Sequence, residues 1–196
     1  SLIDSNKLAL LNTKDLAILA KKFYNDTYTM DQFGCSSPNS VFWLGRNNTA
    51  KKKFWFELSK VVNKVYDLDL SGANQKISNL MNYTLRKNKK FKANIQNFNL
   101  ITLKSKEHNF DNFENINFGT FLEINLKNID YLKRYASAKL QTVTYYGIDF
   151  KNIKNFIIKN KIKGIDRIVP IGRAFDLTPE WDGVDIISTL SRTIGN

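Results

Sequence analysis

The chain has 196 residues, of which 42% are hydrophobic and 13% aromatic, so we expect one globular domain with a sizeable core rather than a disordered segment. It has one cysteine and one histidine, which excludes an internal disulfide and a metal site built from clustered cysteine and histidine ligands. The formal net charge of +12 invites an anionic partner, such as a nucleic acid or a phosphorylated small molecule.

The distribution of lysine argues against a dedicated nucleic-acid surface. The densest basic runs are predicted at a helix start (51–53), in a loop (86–92) and at a helix end (159–163), and lysine is common throughout the chain. Solvated helix faces account for this pattern more simply than one binding face.

No segment approaches the roughly 18 consecutive apolar residues of a membrane span, and the first residues lack the features of a signal peptide. We therefore expect a cytoplasmic protein without a membrane span.

The first predicted helix begins at Thr13, which can cap a helix, and its apolar positions recur every three or four residues as far as Met30. It leads directly into a polar segment that we call the cysteine turn, residues 31–38, with the sequence Asp-Gln-Phe-Gly-Cys-Ser-Ser-Pro. The run Val41-Phe42-Trp43-Leu44 that follows is apolar on consecutive residues, as in a strand covered on both faces. These patterns predict a helix, the cysteine turn and a central parallel strand in succession.

Two further helices are predicted after this strand. The first is capped by Thr49, and its predicted apolar face comprises Phe54, Leu58, Val61, Val62 and Val65. The second runs from Ser71 to about Leu85, and its predicted inward residues are Ala73, Ile77, Leu80 and Met81. The basic region up to residue 97 is interpreted as an exposed loop.

The remainder of the chain alternates between strand and helix patterns. Strands are predicted over 98–103, 120–126 and 140–145, and the last is followed by a helix capped by Asp149 that stops before Gly164. Residues 105–117 lack periodicity and are predicted to form a long loop. Right-handed crossovers between parallel strands are the economical way to assemble such alternation. The predicted class is an α/β domain with a mostly parallel sheet and helices on both faces.

Cys35 is the candidate catalytic residue. Most free cysteines behave as small buried hydrophobes, and one kept for packing normally lies inside a helix or strand. Cys35 instead lies between a long helix and a buried strand, after Gly34 and before Ser36 and Ser37, so we expect its thiol to be exposed on a rigid support. The backbone N–H groups of Cys35 and Ser36 would then be available to a developing oxyanion.

No general base accompanies this cysteine in the sequence. His108 lies in a polar loop and is interpreted as a solvated side chain. Activation of the thiol would have to come from turn dipoles, a bound cofactor or residues outside this chain. Residues 164–183 are rich in glycine and proline, and two interpretations stay open for them: a shaped wall of the site, or packing of Phe175 and Trp181 against the sheet edge.

Four segments together resemble the fatty-acyl-CoA reductases of bacterial bioluminescence, the LuxC type, within the aldehyde dehydrogenase superfamily. In chain order they are Gln32-Phe33-Gly34-Cys35-Ser36-Ser37-Pro38, Lys139-Leu140-Gln141-Thr142-Val143, Asp166-Arg167-Ile168-Val169-Pro170-Ile171-Gly172 and Trp181-Asp182-Gly183. The resemblance extends over nearly the whole chain. It implies the catalytic domain of the aldehyde dehydrogenase fold, with the family's nucleophilic cysteine at Cys35 and an oxyanion turn shaped by Gly34, Ser36 and Ser37.

The resemblance also implies a reaction. The Cys35 thiolate would attack a fatty acyl-CoA or another acyl thioester, and a hydride from NADPH would then release an aldehyde. Acyl-transferring partner enzymes and a homo-oligomer are further implications.

In this family a nucleotide-binding half precedes the catalytic domain. Residues 1–196 would then be the cysteine-bearing domain, with the cofactor-binding half expected upstream, and the chain has no glycine-rich phosphate loop of its own. The superfamily's Glu-x-Phe-Gly pattern, which holds the cofactor, is imperfect here. Ile116 stands two positions before Phe118, and the nearest acid is Glu114. Phe118 and Glu114 are therefore the candidate cofactor contacts.

Two alternatives stay open on the sequence alone. The first is an aldehyde dehydrogenase that works in the oxidative direction, from an aldehyde to an acid or a CoA ester. The second is a non-catalytic, basic nucleic-acid-binding domain, which only the net charge supports.

Overall fold

A seven-stranded sheet forms the centre of the computed structural model, which describes residues 1–87, 91–105, 116–136, 140–181 and 183–192. Its strands are β1 (Leu2–Asp4), β2 (Ser40–Leu44), β3 (Phe91–Asn97), β4 (Leu100–Ser105), β5 (Thr120–Asn125), β6 (Thr142–Tyr146) and β7 (Arg167–Pro170). They lie in the order β3-β4-β5-β2-β1-β6-β7, and β3 with β4 is the antiparallel pair while the other neighbours are parallel. A short hairpin, β8 (Glu180–Trp181) and β9 (Val184–Asp185), follows outside the sheet.

Helices cover both faces of this sheet. They are α1 (Ser5–Leu8), α2 (Thr13–Thr27), α3 (Asn48–Val65), α4 (Leu70–Lys87), α5 (Phe150–Lys159) and α6 (Ile186–Leu190), with a 3₁₀ helix at Ile129–Arg134. Successive residues of β2 face opposite sides, so Trp43 packs with Phe54 of α3, while Phe42 joins the cluster that contains Phe156 of α5. The predicted α/β class is confirmed, as are the central position of β2 and its burial on both faces.

The caps of α2 and α3 lie one or two residues before the predicted ones. Asn12 caps α2, because its side chain accepts the N–H of Asp15 at 2.9 Å. Asn47 caps α3 by accepting the N–H of Ala50, also at 2.9 Å. In both cases asparagine, which caps at least as well as threonine, stands just before the expected Thr13 or Thr49. The prediction for α5 is confirmed, since Asp149 caps it through the N–H of Lys151.

The predicted inner face of α4 is correct at Leu80, which is partly buried against the core cluster that contains Leu103, and wrong at Ile77 and Met81. Ile77 and Met81 are about half exposed, at 45% and 57%. The buried positions are instead Gly72, Lys76 and Tyr83, and Lys76 has no exposed surface at all. A lysine therefore lies in the middle of the buried face of α4. A hydrophobicity pattern does not predict this face, because it treats lysine as an exposed residue.

The region read as an exposed loop before residue 98 contains strand β3. It pairs antiparallel with β4 at the edge of the sheet, with a bulge between Ile95 and Asn97. Most of its described side chains are exposed, which is typical of an edge strand and explains the loop-like sequence. Across the part of the chain that the structure describes, no helix is long and apolar enough to cross a bilayer.

Candidate active site

Cys35 lies between the end of α2 and the start of β2, and its side chain is exposed, as the sequence predicts. The cysteine turn is held by hydrogen bonds of its own: the N–H of Gln32 donates to Thr27 O, that of Phe33 to Met30 O and that of Ser37 to Gly34 O. Within the described residues, the N–H groups of Gly34, Cys35 and Ser36 donate to no protein acceptor. An exposed thiol is thus accompanied by unpaired backbone donors, the arrangement that can stabilise an oxyanion.

Gln32 joins this turn to the start of β5. Its side-chain Nε2 donates to Pro38 O at 3.0 Å and to Thr120 O at 3.3 Å. Its Oε1 accepts from the N–H of Gly119 at 2.8 Å and from that of Thr120 at 3.2 Å. The residue is buried and adopts a left-handed backbone with φ of 64°. Because all of its amide hydrogen-bonding capacity is used, Gln32 holds both ends of the cysteine turn against β5.

Ser36 and Ser37 anchor the turn on its other sides. The Ser36 hydroxyl lies 3.1 Å from Thr142 Oγ1 on β6, and the Ser37 hydroxyl donates to Asp26 O on α2 at 2.9 Å. Both side chains are buried. Because both hydroxyl groups are engaged in these contacts, they stabilise the turn from its buried side. The Cys35 thiol and the backbone N–H groups remain available for chemistry.

Phe175 lies directly against Gly34. An ideal Cβ added to Gly34 would come within 2.7 Å of the ring atom Cε1 of Phe175, so only glycine permits this contact. The ring is placed there by Asp26, whose carboxylate accepts the N–H of Gly172 at 2.6 Å and that of Ala174 at 2.9 Å. Burial raises the pKa of this carboxyl above its ordinary value, and the two N–H bonds oppose that shift.

Arg167 holds the same segment from the opposite side. Its guanidinium donates to the carbonyls of Ala174, at 2.5 Å, and of Arg173 and Asp176. The indole ring of Trp181 lies 4.7 Å from the guanidinium, at cation–π distance. Phe175 therefore lies against the cysteine turn at Gly34, as expected for a wall of the candidate site. Trp181 instead packs on Arg167 of β7, an edge strand of the sheet, as in the second interpretation.

Phe118 reaches the cysteine turn through Phe33. The two rings meet edge to face with centroids 5.2 Å apart, and Phe33 is 55% exposed while Phe118 is buried. The Phe118 carbonyl accepts a hydrogen bond from Lys76 Nζ at 2.5 Å. Burial lowers the pKa of Lys76 to about 7. The contact of Phe118 with a cofactor stays a prediction, and Glu114 and His108 lie outside the described residues.

Four residues that support the site received no role from the sequence: Gln32, Asp26, Arg167 and Lys76. Asp26 carried one usable signal, because it continues the buried stripe of α2 after Leu19 and Phe23. A carboxylate at a position that the helical period marks as buried must have partners. Gln32 and Arg167 stand in two of the four segments named above, but their partners are distant in sequence.

Contacts link these four segments in space. Ser36 contacts Thr142 of the second segment, Thr142 pairs with Arg167 of the third in the sheet, and Arg167 stacks on Trp181 of the fourth. The sequence profile of the acyl-CoA reductase (LuxC) family matches residues 2–193. The chain belongs to the acyl-CoA reductase (LuxC) family.

The structural neighbours of this LuxC-family chain include an aldehyde dehydrogenase. It is a protein from Sinorhizobium meliloti 1021 described as a methylmalonate-semialdehyde dehydrogenase and crystallised with NAD, with 12% sequence identity and a TM-score of 0.55. The similarity covers 87% of this chain and 38% of the neighbour, so the chain spans well under half of that protein's length. No curated protein sequence matches the chain significantly. At this identity the neighbour shows the fold, which is that of the aldehyde dehydrogenases.

Replacing Gly34 by alanine in this LuxC-family protein tests the contact with Phe175. The new methyl group must displace the ring, which we expect to lower the free energy of unfolding by about 1–2 kcal/mol. In a Phe175→Ala background the same change should cost less than about 0.5 kcal/mol, because the obstructing ring is gone. Urea denaturation of the four proteins of this double-mutant cycle measures the difference. Equal costs in the two backgrounds would show that Phe175 does not pack on Gly34.

Proposed function

We propose that this chain is the cysteine-bearing catalytic domain of an NADPH-dependent reductase, which accepts a fatty acyl group from acyl-CoA on Cys35 and reduces it to an aldehyde. The observation that carries the proposal is the exposed thiol on a braced turn with unpaired N–H groups. Membership of the acyl-CoA reductase family supports the direction of the reaction and the class of substrate.

In the first step the Cys35 thiolate attacks the thioester carbonyl carbon. The bond from that carbon to the CoA sulfur breaks, CoA leaves, and the acyl group remains on Cys35 as a thioester. Negative charge develops on the carbonyl oxygen, and the N–H groups of Cys35 and Ser36 are the donors proposed to face it. Gly34, Ser36 and Ser37 give the turn the shape that this requires, through the contacts with Phe175, Thr142 and Asp26.

The residues present fit the reactive end of a nicotinamide rather than the whole dinucleotide. Phe33 presents exposed aromatic surface two residues from the thiol, and Phe118 supports it. The sequence has no glycine-rich phosphate loop, so we assign binding of the rest of the cofactor to a half of the protein upstream of these residues. The NAD bound to the aldehyde dehydrogenase neighbour supports a nicotinamide cofactor, and NADPH in particular is our proposal.

A bound reduced nicotinamide supplies a hydride for the second step. Cys35 holds the acyl carbon in place during reduction, and the bond between that carbon and its Sγ breaks as the aldehyde leaves. The N–H donors of the turn serve this tetrahedral stage as they serve the first. Reduction needs no base to activate water, which agrees with a sequence that has no histidine near Cys35.

The setting of the reaction forms part of the same proposal. An exposed, unpaired thiol suits a reducing compartment such as the cytoplasm. The acyl donor is proposed to be a fatty acyl-CoA or a related thioester, which acyl-transferring partner enzymes supply, and the enzyme is proposed to act as a homo-oligomer. Phe118 and Glu114 remain the proposed cofactor contacts of this domain.

The decisive experiment follows the acyl group through both steps in the full-length protein. Incubation with a radiolabelled long-chain acyl-CoA should release one CoA for each label bound, and peptide mass spectrometry should find the label on the peptide that contains Cys35. Addition of NADPH should then discharge the label as aldehyde.

Two results would overturn the proposal. The first is the absence of label on Cys35. The second is efficient oxidation of an aldehyde with oxidised cofactor but no reduction of acyl-CoA, which would favour an aldehyde dehydrogenase working in the oxidative direction. A mock incubation with the hydrolysed fatty acid and free CoA controls for non-covalent retention.

A further inference from the structure

Lys76 is a fully buried charged residue that the proposed reaction does not use. It lies on α4 with none of its surface exposed. Its Nζ donates to the carbonyls of Phe98, at 2.6 Å, and Phe118, at 2.5 Å, and lies 5.2 Å from the centre of the Phe98 ring. No carboxylate among the described residues forms an ion pair with it.

Burial alone does not explain a lysine at this position. An ammonium group loses its hydration when it is buried, whereas a methionine of similar length would fill the space without that cost. What the lysine provides is two N–H donors for two backbone carbonyls, and these hydrogen bonds are charge-assisted when Lys76 is protonated. These bonds therefore stabilise the two backbone segments that contain the Phe98 and Phe118 carbonyls.

One of these segments is a turn of unusual backbone conformation, residues 117–119. Asn117, Phe118 and Gly119 all have positive φ, at 62°, 49° and 73°. Non-glycine residues in this region are strained and persist only where their surroundings hold them. The Asn117 carbonyl accepts from the N–H of Thr120 and the Gly119 carbonyl from that of Ile101, each at 3.0 Å. Lys76 supplies the remaining bond, to the Phe118 carbonyl.

This left-handed turn is in direct contact with the cysteine turn. The N–H of Phe118 donates to Asp31 O at 3.2 Å, and the N–H of Gly119 donates to the Gln32 side chain at 2.8 Å. The ring of Phe118 packs edge to face on Phe33, two residues from Cys35. Three separate contacts thus join the turn at residues 117–119, which Lys76 holds, to the cysteine turn.

We propose that Lys76 is a positioning residue for Cys35, which acts by holding the left-handed turn 117–119 against the cysteine turn. The proposal rests on the acylation of Cys35 proposed above. Without the ammonium group the Phe118 carbonyl loses its donor, the strained turn relaxes, and the N–H groups beside Cys35 no longer keep the geometry that an oxyanion needs. The thiol itself stays exposed.

The test compares Lys76→Met with Lys51→Met in the full-length protein. Lys51 is a matched control because it is also a buried lysine, 4% exposed, whose Nζ donates to Asn125 at 2.7 Å. Asn125 lies at the carboxyl end of β5, whereas Cys35 precedes the amino end of the parallel strand β2. Two rates are measured on each folded variant: alkylation of Cys35 by iodoacetamide, which needs only an exposed thiol, and acylation by a long-chain acyl-CoA.

We expect Lys76→Met to slow acylation at least about 10-fold while alkylation stays within about 2-fold of the wild type. Lys51→Met should leave both rates within about 2-fold. Lys76→Gln, which keeps two N–H donors on a shorter side chain, should recover part of the acylation rate, and it replaces Lys76→Met if that variant does not fold.

Equal acylation rates for Lys76→Met and Lys51→Met would overturn the inference, and so would a parallel fall in alkylation and acylation for Lys76→Met. Loss of acylation in Lys76→Gln as complete as in Lys76→Met would also contradict it. Failure of the wild-type protein to be acylated at Cys35 would instead reject the proposed function, so the two failures are distinguishable.

Discussion

Replacing Cys35 by alanine is expected to reduce acylation of the full-length protein by acyl-CoA at least about 10³-fold, and production of aldehyde with it. The proposed mechanism has no other group that can take the acyl chain. Because the Cys35 side chain is exposed, its loss should change the free energy of unfolding by less than about 0.5 kcal/mol. The combination of lost chemistry and unchanged stability is what distinguishes a nucleophile from a packed cysteine.

Cys35→Ser is the companion variant. It keeps nearly the same size and the same turn, but a hydroxyl group is a far weaker nucleophile than a thiolate when no base accompanies it. We expect its acylation to fall at least about 100-fold, with binding of acyl-CoA retained. Stoichiometric labelling of the Cys35→Ala variant would show that another residue accepts the acyl group, and would contradict the proposed mechanism.

The sequence predicts the frame of the site because local signals suffice for it. The period of α2, the consecutive apolar residues of β2 and the turn between them are all readable within residues 13–44, and together they predict an exposed Cys35. The Asp149 cap of α5 is equally local. For these elements the structure agrees because the residues whose pattern predicts them lie close together in the chain, although β2 itself pairs with the distant strands β1 and β5.

The parts that the sequence does not predict depend on tertiary partners. Asp26 accepts N–H groups from residues nearly 150 positions away, and the space that keeps Gly34 a glycine is occupied by Phe175. The buried face of α4 is not predicted because it contains Lys76, and a lysine normally indicates an exposed position. Its partners are two backbone carbonyls, which a pattern of side chains does not reveal. The edge strand β3 has few buried side chains, so it resembles a loop until its neighbour β4 is known.

The largest structural effect is expected at Gln32. Gln32→Leu keeps the approximate volume of a buried side chain but removes hydrogen bonds to Pro38, Gly119 and Thr120. Buried backbone groups that lose a partner cost roughly 1–3 kcal/mol each, so we expect the free energy of unfolding to fall by about 3 kcal/mol or more. Acylation of Cys35 should fall at least about 100-fold, because the turn loses its connection to β5.

Two further variants separate this role of Gln32 from a general effect of losing a glutamine. Gln75→Leu changes an exposed residue on α4 and should leave stability within about 0.5 kcal/mol and acylation unaffected. Gln32→Glu retains an acceptor for the N–H groups of Gly119 and Thr120, but its second oxygen would face the carbonyls of Pro38 and Thr120, where the amide now donates. It should therefore be destabilised as well, despite its similar shape.

Urea denaturation and acylation rates on folded protein measure both effects. If Gln32→Leu proved as stable and as readily acylated as Gln75→Leu, the cysteine turn would not depend on its connection to β5, and the backbone geometry proposed to stabilise the oxyanion would need another source.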